Sequence, residues 1–322
     1  MHLPRGWVGG GEVGPATVAC RRSVTVSGMP GAAVVLMAYG SPERLDDVPA
    51  YYADIRGGRP VRPEHLADLV ERYRRLGIED GSPLNAVTEE TRAALERELG
   101  LPVLTGMKHW TPRIAGAAER ALAGGATTVV GLVLAPHYSR LSIGGYRRQL
   151  EQALAGRAEL RFVESWHDEP GFVELLSERV RGTNAHVVFT AHSLPARILD
   201  DGDPYEEQLL ATAAAVAERA QLADWSFSYQ SESPTGEPWL GPDVLDHLAD
   251  LRDRGVLDVL ACPVGFVADH LEIRWDLDTE AADRARALGI RFARIEMPNA
   301  DPAFVRVLAG IVRRCLSVPS PT

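Results

Sequence analysis

The sequence predicts an α/β protein built on two open parallel sheets of about four strands each. Three observations carry this. From Ala33 onward, short β-branched runs alternate with segments of helical apolar spacing. Strand, helix and strand repeated in this way give parallel strands joined by right-handed crossovers. The chain has 322 residues, enough for two domains at about 100–200 residues each. Eight strands can also close into a barrel, but the long helical stretch from Val48 to Leu99 between the first two strands suits a barrel poorly.

Taken in order, residues 1 to about 32 are Gly-rich and lack the apolar core of a secretory signal. A disordered tail is expected there, and Met29, just before the first strand, is an alternative start. The predicted strands are Ala33–Ala38, Pro102–Gly106, Thr127–Ala135, Glu159–Glu164, His186–Ala191, Trp225–Tyr229, Leu257–Cys262 and Ile290–Ile295. The intervening helices are typified by His65–Leu76, where Leu66, Leu69, Val70, Tyr73 and Leu76 form one apolar stripe. The expected division is a tail over 1–32, a first lobe over 33–150 and a second over 151–322, the last helix packing back on the first lobe.

Composition narrows the function. Hydrophobic residues make up 45% of the chain and charged ones 24%, which excludes disordered and fibrous classes. The longest near-continuous apolar stretch, Val129 to Pro136, is far short of the roughly 20 residues that cross a bilayer. A net charge of −10 opposes attraction to nucleic acid or anionic lipid, so an anionic ligand needs a local basic pocket. Cys20, Cys262 and Cys315 contain no CxxC pair, so neither a zinc ribbon nor a disulfide framework is indicated and a cytoplasmic location is expected.

Ligands of open α/β sheets bind outside the carboxyl ends of the strands, and those ends are unusual here. The first strand ends in Tyr39-Gly40-Ser41-Pro42. The second and third run into Lys108-His109-Trp110 and Pro136-His137-Tyr138-Ser139, each delivering a His and an aromatic to the same rim. A lone Tyr or His at such a place is more often structural; two strand ends with the same pairing are harder to set aside. The fifth strand ends in Ala191-His192-Ser193-Leu194-Pro195. His192 is a base, a metal ligand or a core group on this reading. A Ser193 hydrolase is disfavoured because the GxSxG elbow is absent and adjacent residues of a strand point to opposite faces.

After the seventh strand, Glu272, Asp276 and Glu280 fall at i, i+4 and i+8 on a predicted helix. Like charges so spaced repel. They are either a solvated acidic face or a track of hard oxygen ligands leading a divalent cation toward Glu272. In the first lobe, Arg56, Arg59, Arg72, Arg74 and Arg75, near Ser82 and Tyr146, are either surface cations or a clamp for carboxylates.

These segments resemble the ferrochelatases from Val34 to about Leu316. The matching motifs are LMAYGSP (36–42), YYADIRGGR (51–59), ERYRRLG (71–77), SPL (82–84), GMKHW (106–110), VLAPHYS (133–139), TAHSLP (190–195), DPYEEQL (203–209), QSES (230–233), EPWLGPDV (237–244) and PVGFVADHLEIRWDLD (263–278). Singly some are weak; in this order and spacing they are highly specific. The resemblance implies a class II chelatase fold of two Rossmann-like lobes that inserts Fe2+ into a porphyrin held between them. It is nearest the soluble enzymes of monoderm bacteria that metallate coproporphyrin III to coproheme, and no apolar lip near Val48–Pro60 marks a membrane-associated protoporphyrin enzyme.

Carried over by motif, His192 and Glu272 are the catalytic pair. Tyr39 approaches the other face of the ring as the axial contact. Arg56, Arg72, Ser82 and Tyr146 hold propionates, and His192, Glu272, Asp276 and Glu280 mark the metal path. The longer acidic linker Gly77–Ser82 and Tyr229, where relatives often carry Trp, depart from the pattern. Some ferrochelatases hold a [2Fe–2S] cluster on four cysteines, several near the C-terminus; with only Cys315 there, no cluster is expected. Partners beyond porphyrin and Fe2+ are expected to be transient ones of heme biosynthesis, and the chain is expected to be a monomer. The competing readings are a protoporphyrin IX enzyme, a cobalt or sirohydrochlorin chelatase, and a non-catalytic tetrapyrrole or metal binder.

Overall fold

The computed structural model describes residues 31–77, 83–233 and 235–318. β1 (Ala32–Ala38) is followed by α1 (Val48–Ile55), α2 (Pro63–Arg75) and α3 (Pro83–Leu99), the helical insertion expected between the first two strands. β2 (Val103–Met107), α4 (Ile114–Ala123), β3 (Thr128–Val133), α5 (Ile143–Leu154) and β4 (Glu159–Phe162) complete the first lobe. The second contains α6 (Pro170–Val180), β5 (His186–His192), α7 (Tyr205–Ala220), β6 (Trp225–Gln230), α8 (Val244–Asp253) and β7 (Asp258–Cys262). A π-helix (Ile273–Ala281) then continues into α9 (Ala282–Leu288), β8 (Arg291–Arg294) and α10 (Pro302–Ser317). All the predicted strands form, with only their ends displaced.

The sheets have the orders β2-β1-β3-β4 and β6-β5-β7-β8, and every pairing is parallel. β4 bonds to β3 from Thr128↔Glu159 to Gly131↔Phe162. The first sheet therefore extends past residue 150, and the division of the lobes falls after Phe162. The reason is the crossover rule itself: α5 returns the chain to the same sheet for its edge strand. The tail expected over residues 1–32 lies outside the described residues up to 30, and Ala32 already belongs to β1.

Alternation along the strands creates three apolar layers. Val34 and Leu36 of β1 and Val187, Phe189 and Ala191 of β5 enter one central layer with Leu95, Phe172, Leu209, Phe304 and Leu308. That layer unites the inner faces of both sheets, and α10 lies there against α3 and α6. Ala33, Val35 and Met37 turn outward to α4 and α5, and Val188 turns outward to α8 and the π-helix. Each fully buried Phe or Leu contributes about 1.5–3 kcal/mol, and the central layer welds the lobes at the back. Nearer the front, the turn after β3 is bonded to the start of α7. The Tyr138 N–H donates to Gln208 Oε1 at 2.7 Å, and the Arg140 N–H donates to Asp203 Oδ2 at 2.8 Å. Among the described residues no helix is long and apolar enough to cross a membrane.

Candidate active site

In each sheet the strand order reverses beside its first strand, between β1 and β3 and between β5 and β7. Such a switch point opens a crevice at the carboxyl ends. Here the two crevices meet in one cleft of about 560 Å³, lined by Ala38–Ser41, Leu134, Ala135 and His137 from the first lobe and by His192, Leu194, Gly265–Ala268, His270–Glu272 and Asp276 from the second. Two glycines let the chain turn out of the strands at this place. Gly40 has φ of 86° and a Cβ there would meet Trp110 Cβ at 2.9 Å. A Cβ on Gly265 would lie 2.6 Å from that of Ala191.

The second lobe supplies the acid–base chemistry. The His192 Nδ1–H donates to the carbonyl of Ser193, which leaves Nε2 toward the cleft, 3.5 Å from Glu272 Oε1. The other Glu272 oxygen lies 3.6 Å from His270 Nε2. Burial alone opposes a charge on His192, but the Glu272 carboxylate and the Ser193 carbonyl override it and push the imidazole up to about 9. Burial raises Glu272, while His192 and His270 hold it well below the usual carboxylate range. The two side chains thus form an ion pair. Burial and the Glu272 charge push Asp276 up to about 7, against the Ser231 hydroxyl and Arg72. The Ser231 Oγ–H donates to Asp276 Oδ2, from a backbone held at φ of 64°.

The first lobe contributes phenols and cations. Tyr39 is 39% exposed into the cleft; the cleft walls and the Glu272 charge hold its hydroxyl above the ordinary phenol range, so it stays neutral. Its ring lies 4.5 Å from that of His109, whose Nδ1 pairs with Asp54 at 2.9 Å. Lys108 extends over the Tyr146 ring, 4.9 Å from its centre, and burial, with Arg148 nearby, lowers its ammonium to about 8. The Tyr73 and Ser41 hydroxyls are 3.0 Å apart.

Of the residues expected from the sequence, Tyr39, Arg72, Tyr146, His192, Glu272 and Asp276 line the cleft. Arg56 does not: it caps the end of α1 beside Ile55, whose side chain does line the cavity. Ser82 lies outside the described residues. Glu280 opens on an adjoining cavity of about 120 Å³ that it shares with Asp276 and Arg72. The expected α-helical stack of Glu272, Asp276 and Glu280 is replaced by a π-helix, whose i→i+5 bonds make a wider turn. Asp276 remains with Glu272 while Glu280 turns to the smaller cavity. Among the described residues no three His, Cys, Asp or Glu side chains form a metal-holding group. Cys262 is buried and Cys315 half-buried.

Residue-type reasoning missed Lys108, His270 and Ser231. Lys108 and His270 stand inside the quoted strand-end motifs, and Ser231 follows β6, so position after a strand was the signal available for each. Of the apolar stripe on α2, Leu69 and Tyr73 line the cleft, while Leu66, Val70 and Leu76 are half-buried.

Comparison with known proteins agrees with this geometry. Residues 31–316 match the protein-family model described as Ferrochelatase. The chain is 44% identical over 299 residues to a ferrochelatase of Herpetosiphon aurantiacus, covering 87% of this chain and 97% of that one. It is 40% identical over 302 residues to a coproporphyrin III ferrochelatase of Halalkalibacterium halodurans, covering 88% and 97%. Among solved structures, SirB from Bacillus subtilis with Fe3+ superposes with a TM-score of 0.54 at 11% identity, covering 89% of this chain and 96% of that one. At that identity the likeness is one of fold.

Proposed function

We propose, from the premise that this chain belongs to the ferrochelatase family, that it inserts Fe2+ into coproporphyrin III, giving Fe-coproporphyrin III and two protons in heme biosynthesis. The observation that carries the reading is the His192–Glu272 pair on one wall of a cleft whose other wall holds Tyr39. Support for the four-carboxylate substrate comes from cations on the first-lobe wall, Arg72 and Lys108, and from relatives named coproporphyrin III ferrochelatase at 39–40% identity.

Insertion requires a base for two pyrrole protons, a path for the cation and a bent ring. Paired with the Glu272 carboxylate, His192 holds a proton and takes up no other. An arriving divalent cation replaces that proton, which passes to solvent, as the partner of Glu272, and Nε2, its tautomer fixed by the Ser193 carbonyl, becomes the proton acceptor or first metal contact. Asp276 and Glu280 extend the path. Arg72 and Tyr146 hold propionates, so that binding at the rim offsets distortion at the centre. Tyr39, a neutral phenol, offers an axial oxygen to the product iron.

The test is anaerobic insertion followed at the Soret band, with Fe2+ and either coproporphyrin III or protoporphyrin IX. Higher kcat/KM with coproporphyrin is expected. Preference for protoporphyrin would overturn the substrate, and tight binding of both without turnover would favour a non-catalytic carrier.

A further inference from the structure

Arg72 stands on the last turn of α2, in the first lobe, yet its contacts reach into the second. Its Nε bonds Asp68 Oδ2 at 2.8 Å on its own helix. Its Nη1 lies 3.8 Å from Asp276 Oδ1 in the π-helix across the cleft. The guanidinium carbon is 5.3 Å from the centre of the Trp275 ring, and that of Arg75 is 5.0 Å from it. Arg72 and Asp276 both line the large cleft and the small cavity beside it, so the pair stands in the partition between the two spaces. Among the described lining residues of the small cavity, Arg72 is the one cation facing Glu232, Asp243, Asp276 and Glu280.

A guanidinium so placed has two consequences. Toward the large cleft it presents a forked donor suited to a carboxylate. Toward the small cavity it neutralises Asp276, whose other oxygen is already taken by Ser231, and its charge opposes entry of a second cation. A carboxylate arriving from the cleft competes with Asp276 for the same guanidinium charge. We infer that Arg72 is a coupling residue: it pairs with Asp276, and a porphyrin carboxylate that engages it releases Asp276 to the metal path. The inference rests on the proposed function and adds to it a thermodynamic link between the two substrates. Linkage is reciprocal, so porphyrin bound at Arg72 strengthens cation binding by the factor by which the cation strengthens porphyrin binding.

The link gives an outcome that a simple carboxylate clamp does not. Loss of Arg72 weakens the porphyrin complex but strengthens cation binding in the porphyrin-free enzyme. Mn2+, a cation suited to oxygen ligands, is the probe, with free Mn2+ read by EPR. Arg72→Gln is expected to bind Mn2+ at least about fivefold tighter than wild type, the lower end of ordinary coupling. Arg72→Lys, which keeps the charge, is expected to fall between them. In Arg72→Gln/Asp276→Asn the gain is expected to vanish. Thermal melts of each variant check that the contact with Trp275 is not needed for folding; if Arg72→Gln does not fold, Arg72→Lys carries the test. Equal Mn2+ affinity in wild type and the folded Arg72 variants overturns the coupling, as does a gain that survives Asp276→Asn. Zn2+ insertion into coproporphyrin III by the wild type separates the two readings: turnover with equal Mn2+ affinities removes the coupling and leaves the chelatase, and no turnover removes both.

Discussion

How single residues in this protein respond to pH is set by burial and by the charged neighbours they meet. His192 is raised by Glu272 to about 9, so the fraction able to accept a proton grows about tenfold per pH unit below that value. kcat/KM for metal insertion should climb from about pH 7 toward 8.5, and Glu272→Gln, which removes the raising charge, should move the climb to lower pH. A flat wild-type profile would take His192 out of the proton transfer. His192→Ala should lose turnover while still binding porphyrin, read by Soret shift and activity on the same sample. His137 runs the other way. Thr212 donates its one proton to the carbonyl of His167 or Gln208, so it accepts from the His137 Nε2–H and leaves Nδ1 buried without a partner. Burial, with His167 nearby, lowers that imidazole to about 3. Its contribution to stability is complete above the ordinary range near 6.5 and is lost as pH falls toward 3. The melting temperature of the wild type should therefore fall more steeply between about pH 7 and 5 than that of His137→Leu; parallel slopes would refute the assignment. His192 and Tyr39 were legible because they stand at strand ends, and Glu272 because of its spacing with Asp276 and Glu280 after the seventh strand. Their charge states were not, because those depend on neighbours 80 residues apart in sequence, as His192 and Glu272 are.

At the scale of elements, the strand ends were legible from alternation and the π-helix was not. Nothing in the spacing of Ile273–Ala281 separates a wide turn from an ordinary one; the distinction comes from what holds the segment at both ends. Arg294 on β8 does so. Its Nε and Nη2 bond both Asp278 oxygens, and Nη2 bonds Asp269 Oδ1 at 2.8 Å, pinning the residues before and after Glu272. Asn299 adds two bonds to Asp269, one from its side-chain amide to the carboxylate and one to its carbonyl oxygen from the Asp269 N–H. Arg294 is mostly buried, so Arg294→Met takes the guanidinium from Asp278 and leaves Asp269 with Asn299 alone, and should lower the melting temperature. A positioning role adds a fall in kcat of roughly 10-fold or more with little change in porphyrin KM, partly restored by Arg294→Lys. A lower melting temperature with unchanged kcat would make the role purely structural.

For the whole molecule, two lobes were legible from the count and spacing of strands, but their junction was not. Periodicity tells which face of β1 or β5 is apolar and is silent on whether those faces meet each other. They do, through the layer that holds Phe172, Phe189 and Phe304. Phe304→Ala should cost about 3–5 kcal/mol and lower both lobes' stability together, seen as one cooperative melt displaced downward; two separate transitions would mean the lobes fold independently. The same shared layer bears on how the ring is bent. A jaw hinged at its back yields when something stiff is pressed into it, whereas one whose back is solid does not. On the proposed function, with the sheets joined behind the cleft, carboxylates seating at the rim would strain the softer body, the macrocycle rather than the protein.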